Sequence, residues 1–326
     1  MTARDLEAPP EVVTFGETMA ALRAHAALRL GGSLGLSVAG AESNVAIGLA
    51  RLGHRVRWAG RVGADELGAL VLRTLRAEGV DIDHALTDDT GRPTGLLLTE
   101  PRLGTLTRVS YYRAGSAGSA VSPADVLPAL APGSRILHLT GITPVLSPSA
   151  AEAALAAATT AREAGITVCL DVNHRSRLWT ADRARTVLRP LLARTDLLIA
   201  SEDELPLVLE RPAADETEAV RSILAAGVTE VVVKRGAAGA TSVTADGATD
   251  CAARQVDAFG RPHPRSPTCC AWAEPPVPKR REAPWPSCST SPGSAGRSSN
   301  STQGRHPLKR RSARTSASDL PRLRRS

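Results

Sequence analysis

Ile166-Thr167-Val168-Cys169-Leu170-Asp171 is a short apolar run that ends on a carboxylate. Ala-rich Ser149 to Ala164 precedes it and is stopped by Gly165; Ala181 to Ala193 follows it. A buried strand between two helices is the reading that fits this order. The alternation continues outward. Downstream come a strand at Asp196 to Ala200, helices at Glu202 to Leu209 and Glu216 to Ala226, and strands at Glu230 to Val233 and Gly239 to Val243. Upstream come strands at Val12 to Phe15, Arg57 to Gly60, Gly95 to Thr99, Thr107 to Tyr112 and Ile136 to Leu139. Between them lie helices at Ser43 to Leu52, with Ser43 as cap and Gly53 as stop, and at Glu66 to Glu78, stopped by Gly79. Strands alternating with helices predict βαβ units and a mostly parallel α/β sheet. No internal repeat is evident.

The chain has 326 residues, room for one large α/β domain or two small ones. Aromatics make up only 2%, so the core must be built from Ala, Leu and Val. No apolar run is long enough to span a membrane, and Met1 to Glu11 lacks the apolar segment of a signal peptide. Five Cys without CxxC or His spacing argue against a zinc site or a disulfide framework, and a cytoplasmic setting is expected. The charge is uneven. Residues 261–326 hold 14 Lys/Arg against 3 Asp/Glu, whereas residues 1–260 hold 26 against 30. The same 66 residues carry 11 of the 23 Pro, and Val277 is their one β-branched aliphatic. Such a segment buries too little apolar surface to offset its ordering entropy, so a disordered basic tail is expected over 261–326. Only Trp272 and Trp285 could stack on bases there, and no nucleic-acid partner is expected.

Ligands of parallel sheets bind beyond the carboxyl ends of the strands. Three such ends carry polar groups: Asp171, Asn173 and Arg175; Ser201, Glu202 and Glu204; Lys234, Arg235 and Gly236. Each residue alone would serve equally well as a helix cap or a solvated charge. Three strand ends together point to a site for an anionic ligand, with or without a metal ion.

Longer motifs add a resemblance. Gly40-Ala41-Glu42-Ser43-Asn44, Leu49-Ala50-Arg51-Leu52-Gly53 and Gly60-Arg61-Val62-Gly63-Ala64-Asp65 resemble the amino-terminal signature of the PfkB (ribokinase-like) sugar kinases. Tyr111-Tyr112-Arg113 and Asp171-Val172-Asn173-His174-Arg175 resemble the branch that phosphorylates 2-keto-3-deoxygluconate. Lys234-Arg235-Gly236-Ala237-Ala238-Gly239 resembles the nucleotide segment. The resemblance covers roughly residues 10 to 260 as a kinase domain. It implies a three-layer α/β/α sandwich with a small β-sheet lid from parts of 17–39 and 95–113. It implies ATP-dependent phosphoryl transfer, with Mg2+, to a primary hydroxyl of a sugar acid; a fructokinase- or ribokinase-type enzyme and an inactive sugar-binding protein are the alternatives. Family members commonly pair through their lids, so a homodimer is a further expectation.

The residues carried over are these. Gly40, Ala41, Glu42, Ser43, Asn44, Tyr111, Tyr112, Arg113 and Arg175 would face the sugar. Asn173, Ser201, Lys234, Arg235, Gly236 and Gly239 would face ATP, with Glu204 acting on Mg2+ through water. The chemistry is apt. Gly40 permits close backbone approach, Asn44 can donate to and accept from hydroxyls, and Arg matches a planar carboxylate. Two departures stand out. Thr94 to Leu98 lacks the Tyr common in the branch's lid strand, and Ser201 replaces an Asn.

A third departure is larger. The family's catalytic motif opens as Val-Asp-x-x-Gly and continues Ala-Gly-Asp-Ala-Phe, whose Asp takes the acceptor's proton. This chain has Val256-Asp257-Ala258-Phe259-Gly260 and then Arg261-Pro262-His263-Pro264-Arg265. No catalytic residue can therefore be assigned: the Asp expected after Gly260 is absent. Pro262 and Pro264 lack the amide donors that an anion-binding helix start needs. The composition breaks at the same point, as a frameshift in a GC-rich gene would produce. The sandwich is accordingly expected to be incomplete at its carboxyl end.

Overall fold

The computed structural model describes residues 8–253, apart from 102–106, 131 and 177. The expected basic tail and the Val256 to Gly260 motif lie outside the described residues.

β1 (Val12–Phe15) leads to the hairpin β2 (Met19–Ala24) and β3 (Leu34–Ala39), then α1 (Ala41–Arg51), β4 (Val56–Gly63), α2 (Glu66–Ala77) and β5 (Ala85–Asp88). A second hairpin, β6 (Leu96–Pro101) and β7 (Thr107–Tyr112), is followed by the short α3 (Pro123–Val126). Next come β8 (Ile136–Thr140), α4 (Pro148–Glu163), β9 (Thr167–Asp171), α5 (Ala181–Leu192) and β10 (Leu197–Ser201). The described part closes with α6 (Glu216–Ala225), β11 (Glu230–Lys234), β12 (Ala240–Thr244) and β13 (Gly247–Cys251).

The strands form two sheets. The main one has nine strands in the order β13-β12-β11-β10-β9-β8-β1-β4-β5. It is parallel from β11 through to β5, and β12 and β13 add antiparallel. The small sheet, β3-β2-β6-β7, is the expected lid and falls within the expected segments. Strand alternation divides the main sheet's side chains between two cores. Val13, Leu137 and Val168 lie in register on one face, as do Leu170, Leu198 and Val231, against α4, α5 and α6. Helix α4 meets that face with Ala150, Ala153, Ala154, Ala157, Ala158 and Ala161, all buried, so its backbone packs close. Val12, Val56, Trp58 and Val62 lie on the other face with Ala46 of α1 and Val71 and Leu75 of α2. None of that second core comes from β9, β10 or β11.

Several boundaries differ from the sequence reading. Helix α1 starts two residues before Ser43; Gly40 is its cap, and the Ser43 hydroxyl donates to the Gly40 carbonyl at 3.3 Å instead. The helix expected over 202–209 shrinks to one turn, Leu205–Leu207. Pro206 has no N–H to continue it and disfavours helical backbone at Leu205. β5, β13 and α3 were not foreseen. β5 has four residues, α3 has four, and β13 is exposed throughout, so none shows an apolar period. No helix among the described residues is long and apolar enough to cross a membrane.

Candidate functional site

Two groups of polar residues form at the carboxyl ends of the strands. The first lies where the lid joins the main sheet. A cavity of 390 Å³ opens there, lined by Tyr111, Arg113 and Ser119 on one side and Val145, Leu146 and Leu178 on the other. The Arg113 guanidinium lies over the Tyr111 ring, 5.8 Å from its centroid. Tyr112 alternates to the opposite side of β7 and is 61% exposed. Arg113 is held by Glu17, which the sequence reading overlooked. Glu17 Oε2 accepts from Arg113 Nε at 2.6 Å and lies 2.5 Å from Nη2, while Oε1 accepts from the Ser116 hydroxyl. Glu17 is 3% exposed. Its position beyond the end of β1, a central strand, was the signal available to find it.

Gly40 starts α1 at the same joint. A Cβ there would stand 2.6 Å from the Glu17 carbonyl and 2.7 Å from Ser43 Oγ, so the close approach requires glycine. The buried Thr18 hydroxyl nearby has no partner among the described residues. Ala41 is half-buried and Asn44 is exposed on the first turn of α1. Glu42 and Ser43 turn inward. Glu42 Oε1 accepts from the hydroxyls of Thr140 and Thr143, both at 2.6 Å, and ties α1 to the end of β8. Burial raises the Glu42 carboxyl above its ordinary value, against the two hydroxyl donors that lower it. Arg175 is exposed in the loop after β9.

The second group spans β9, β10 and β11, which are adjacent and parallel. Lys234 Nζ donates to Asp171 Oδ1 at 2.7 Å and lies 3.4 Å from Glu204 Oε2. Glu204 is buried; its Oε1 accepts from the His174 amide at 2.6 Å and its Oε2 from the Ser201 amide at 2.9 Å. The carboxylate therefore fixes the backbone after β9 and β10 together. Burial raises the Asp171 carboxyl, and Lys234 offsets part of that rise. Asn173 has φ 42, a left-handed conformation that Asn tolerates better than most residues. The expected pairing of Arg235 with a nucleotide meets a competitor: its guanidinium is taken by Glu216 at 2.5 and 2.9 Å and by Thr241 at 3.0 Å. Gly236 and Gly239, at φ 55 and 101, form the tight turn into β12, as their glycine content foreshadowed. Burial pushes the Cys169 thiol up to about 12, an inert packing group.

A family model described as pfkB family carbohydrate kinase matches residues 9–260. A 2-dehydro-3-deoxygluconokinase of Bacillus subtilis is 39% identical over 171 residues, 52% of this chain and 53% of that protein. The match thus spans about half the length of that relative, 53%. A 2-dehydro-3-deoxygalactonokinase of Haloferax volcanii is 34% identical over 232 residues, 71% of this chain and 73% of that protein. The crystal structure of a PfkB protein from Polaromonas sp. JS666 superposes with a TM-score of 0.70 at 35% identity, covering 76% of this chain and 84% of that one.

Proposed function

The chain belongs to the pfkB family of carbohydrate kinases, and on that premise we propose that it is built to bind a sugar acid of the 2-keto-3-deoxygluconate type as phosphoryl acceptor. The observation that carries this is Arg113, a half-buried cation on the wall of the 390 Å³ cavity under the lid. A neutral sugar needs no such partner, whereas a carboxylate gains charge-assisted hydrogen bonds from it. Gly40 and Asn44 would meet the hydroxyls, with Tyr111 as a wall. Ala41 and Arg175 would stand at the rim of the same site, whereas Tyr112, on the other side of β7, does not line the cavity. Glu42 and Ser43 would act from beneath it by holding the start of α1.

ATP would lie over the ends of β9, β10 and β11. Lys234 supplies the cation for its phosphates, and Asn173, Ser201, Gly236 and Gly239 border it. Arg235 would enter only if it leaves Glu216. The donor set fits an indirect role for Glu204 toward Mg2+. Both of its oxygens already accept backbone amides and Lys234 lies 3.4 Å from Oε2, which favours contact through water over direct ligation. ATP would supply the transferable phosphoryl group and Mg2+ would neutralise its charge; this chain's residues bind and orient. What the sequence does not supply is the carboxylate base for the acceptor's proton, because Pro262 and His263 stand where the Gly-Asp of the family motif belongs.

Calorimetry with the full chain tests the reading without requiring turnover. 2-Keto-3-deoxygluconate should bind more tightly than fructose, and Arg113→Met should erase the difference. Equal affinities for the two sugars would move the chain to the neutral-sugar kinases.

A further inference from the structure

The Glu17–Arg113 pair divides one guanidinium between two tasks. Glu17 Oε2 alone meets Nε and Nη2, at 2.6 and 2.5 Å, and Nη1 has no partner among the described residues. The side of the guanidinium is therefore occupied while its end remains available, and Arg113 lines the cavity. The pair is deeply placed: the Arg113 side chain is 10% exposed and that of Glu17 1%. The surroundings are shaped around the carboxylate. A Cβ on Gly95 would meet Glu17 Oε1, and one on Gly118 would meet Glu17 Cγ. Ser116 fixes the other oxygen. Two glycines and a hydroxyl from two segments, one at Gly95 and one spanning Ser116 and Gly118, thus converge on one acid, more than a surface ion pair needs.

We infer that Glu17 is a positioning residue for acid selectivity: it clamps the Nε edge of Arg113 so that the Nη1 end is presented to the carboxylate of the sugar. The inference rests on the sugar-acid reading above. A free arginine would have to lose rotamer entropy on meeting the ligand, and a preorganised one does not. Glu17 also balances the charge of Arg113 before any ligand arrives, which keeps an isolated buried cation from being desolvated.

Four full-length variants test it: Glu17→Gln, Glu17→Ala, Arg113→Met and the Glu17→Ala/Arg113→Met double. Affinities for 2-keto-3-deoxygluconate and for fructose are measured by calorimetry, with circular dichroism to verify folding. Glu17→Ala should weaken binding of the acid by roughly tenfold, the scale of one charge-assisted hydrogen bond. Fructose affinity should stay within about twofold, because no charge-assisted contact to it is lost. Glu17→Gln, which keeps an acceptor for Nε, should restore part of the loss. On the Arg113→Met background, removal of Glu17 should change nothing further. If Glu17→Ala does not fold, Glu17→Gln decides: a lower acid-to-fructose affinity ratio supports the inference and an unchanged ratio overturns it. Equal weakening of both sugars, or additive losses in the double variant, also overturns it. If the parent chain itself shows no preference for the acid, the sugar-acid reading fails first and this inference falls with it.

Discussion

Glu42 is a carboxylate 1% exposed, satisfied by two threonine hydroxyls and raised above its ordinary 4.5 by burial. The folded chain therefore holds that proton more tightly than the unfolded chain does. Its contribution to stability is full below 4.5 and is lost as pH rises through the folded value. Glu42→Gln keeps an acceptor for both hydroxyls and removes the titration. It should be no less stable than the parent at neutral pH, with an advantage that grows from about pH 5 upward in urea unfolding. His138 acts with the opposite sign. Burial lowers it from 6.5 to about 4, and its Nδ1 is paired with Thr14 Oγ1 at 2.9 Å. Its contribution is complete above 6.5 and is lost as pH falls toward 4. His138→Asn retains a polar atom for Thr14 and should flatten the loss of stability across that acid window, measured by the same unfolding series. Neither role was legible in the sequence. Glu42 sits in a motif that resembles a sugar contact, yet its partners Thr140 and Thr143 are about a hundred residues away along the chain.

Among the elements, those with a clean apolar period were placed from sequence to within a residue or two: β1, β7, α2, α4, α5 and β11. Their patterns are local, and burial only reinforces them. The one helix that failed, over 202–209, has Pro206 within it and a Glu204 side chain drawn to two amides. The α4 cap illustrates an element whose stability can be checked. Ser147 Oγ accepts from the Ala150 amide at 3.1 Å, and Ser147→Ala should cost about 1 kcal/mol in urea unfolding. The β11–β12 turn is less forgiving. Gly239 has φ 101, and a Cβ there would strike the Cys251 carbonyl. Gly239→Ala should destabilise by more than about 1 kcal/mol, since strain and collision act together. Lys234, at the head of that turn, should then lose its fixed distance to Asp171, and any ATP affinity should fall with it.

On the scale of the whole molecule, the two faces of the main sheet are unlike. Helices α4, α5 and α6 cover one face of β9, β10 and β11, and the second core contributes nothing from those strands. Ile199 and Val232, which alternate to that other face, are only half-buried. The family match ends at residue 260, where the composition changes. The purified chain should show no ATP-dependent phosphorylation of 2-keto-3-deoxygluconate above background, since lack of the base alone removes ~10²–10⁴ in rate. Reading the gene in its other two frames beyond codon 260 should recover Gly-Asp-Ala-Phe followed by helical sequence; its absence from both would refute a frameshift. Ile199→Thr with Val232→Thr should reduce light scattering by the chain on mild heating while costing no more than about 1 kcal/mol in stability.

The sequence by itself determined the α/β class and the alternation of strands and helices, and it shows that no Gly-Asp-Ala-Phe follows Gly260. Each is a matter of local period or of a short motif, and such information is complete within a few residues. Only the tertiary structure decided how the charges are shared. Glu17 and Arg113 are 96 residues apart, Asp171 and Lys234 63, and Arg235 turns to Glu216 rather than outward. Pairing across such separations depends on which strand ends become neighbours and on how far burial excludes water, and neither is set by any stretch of chain alone.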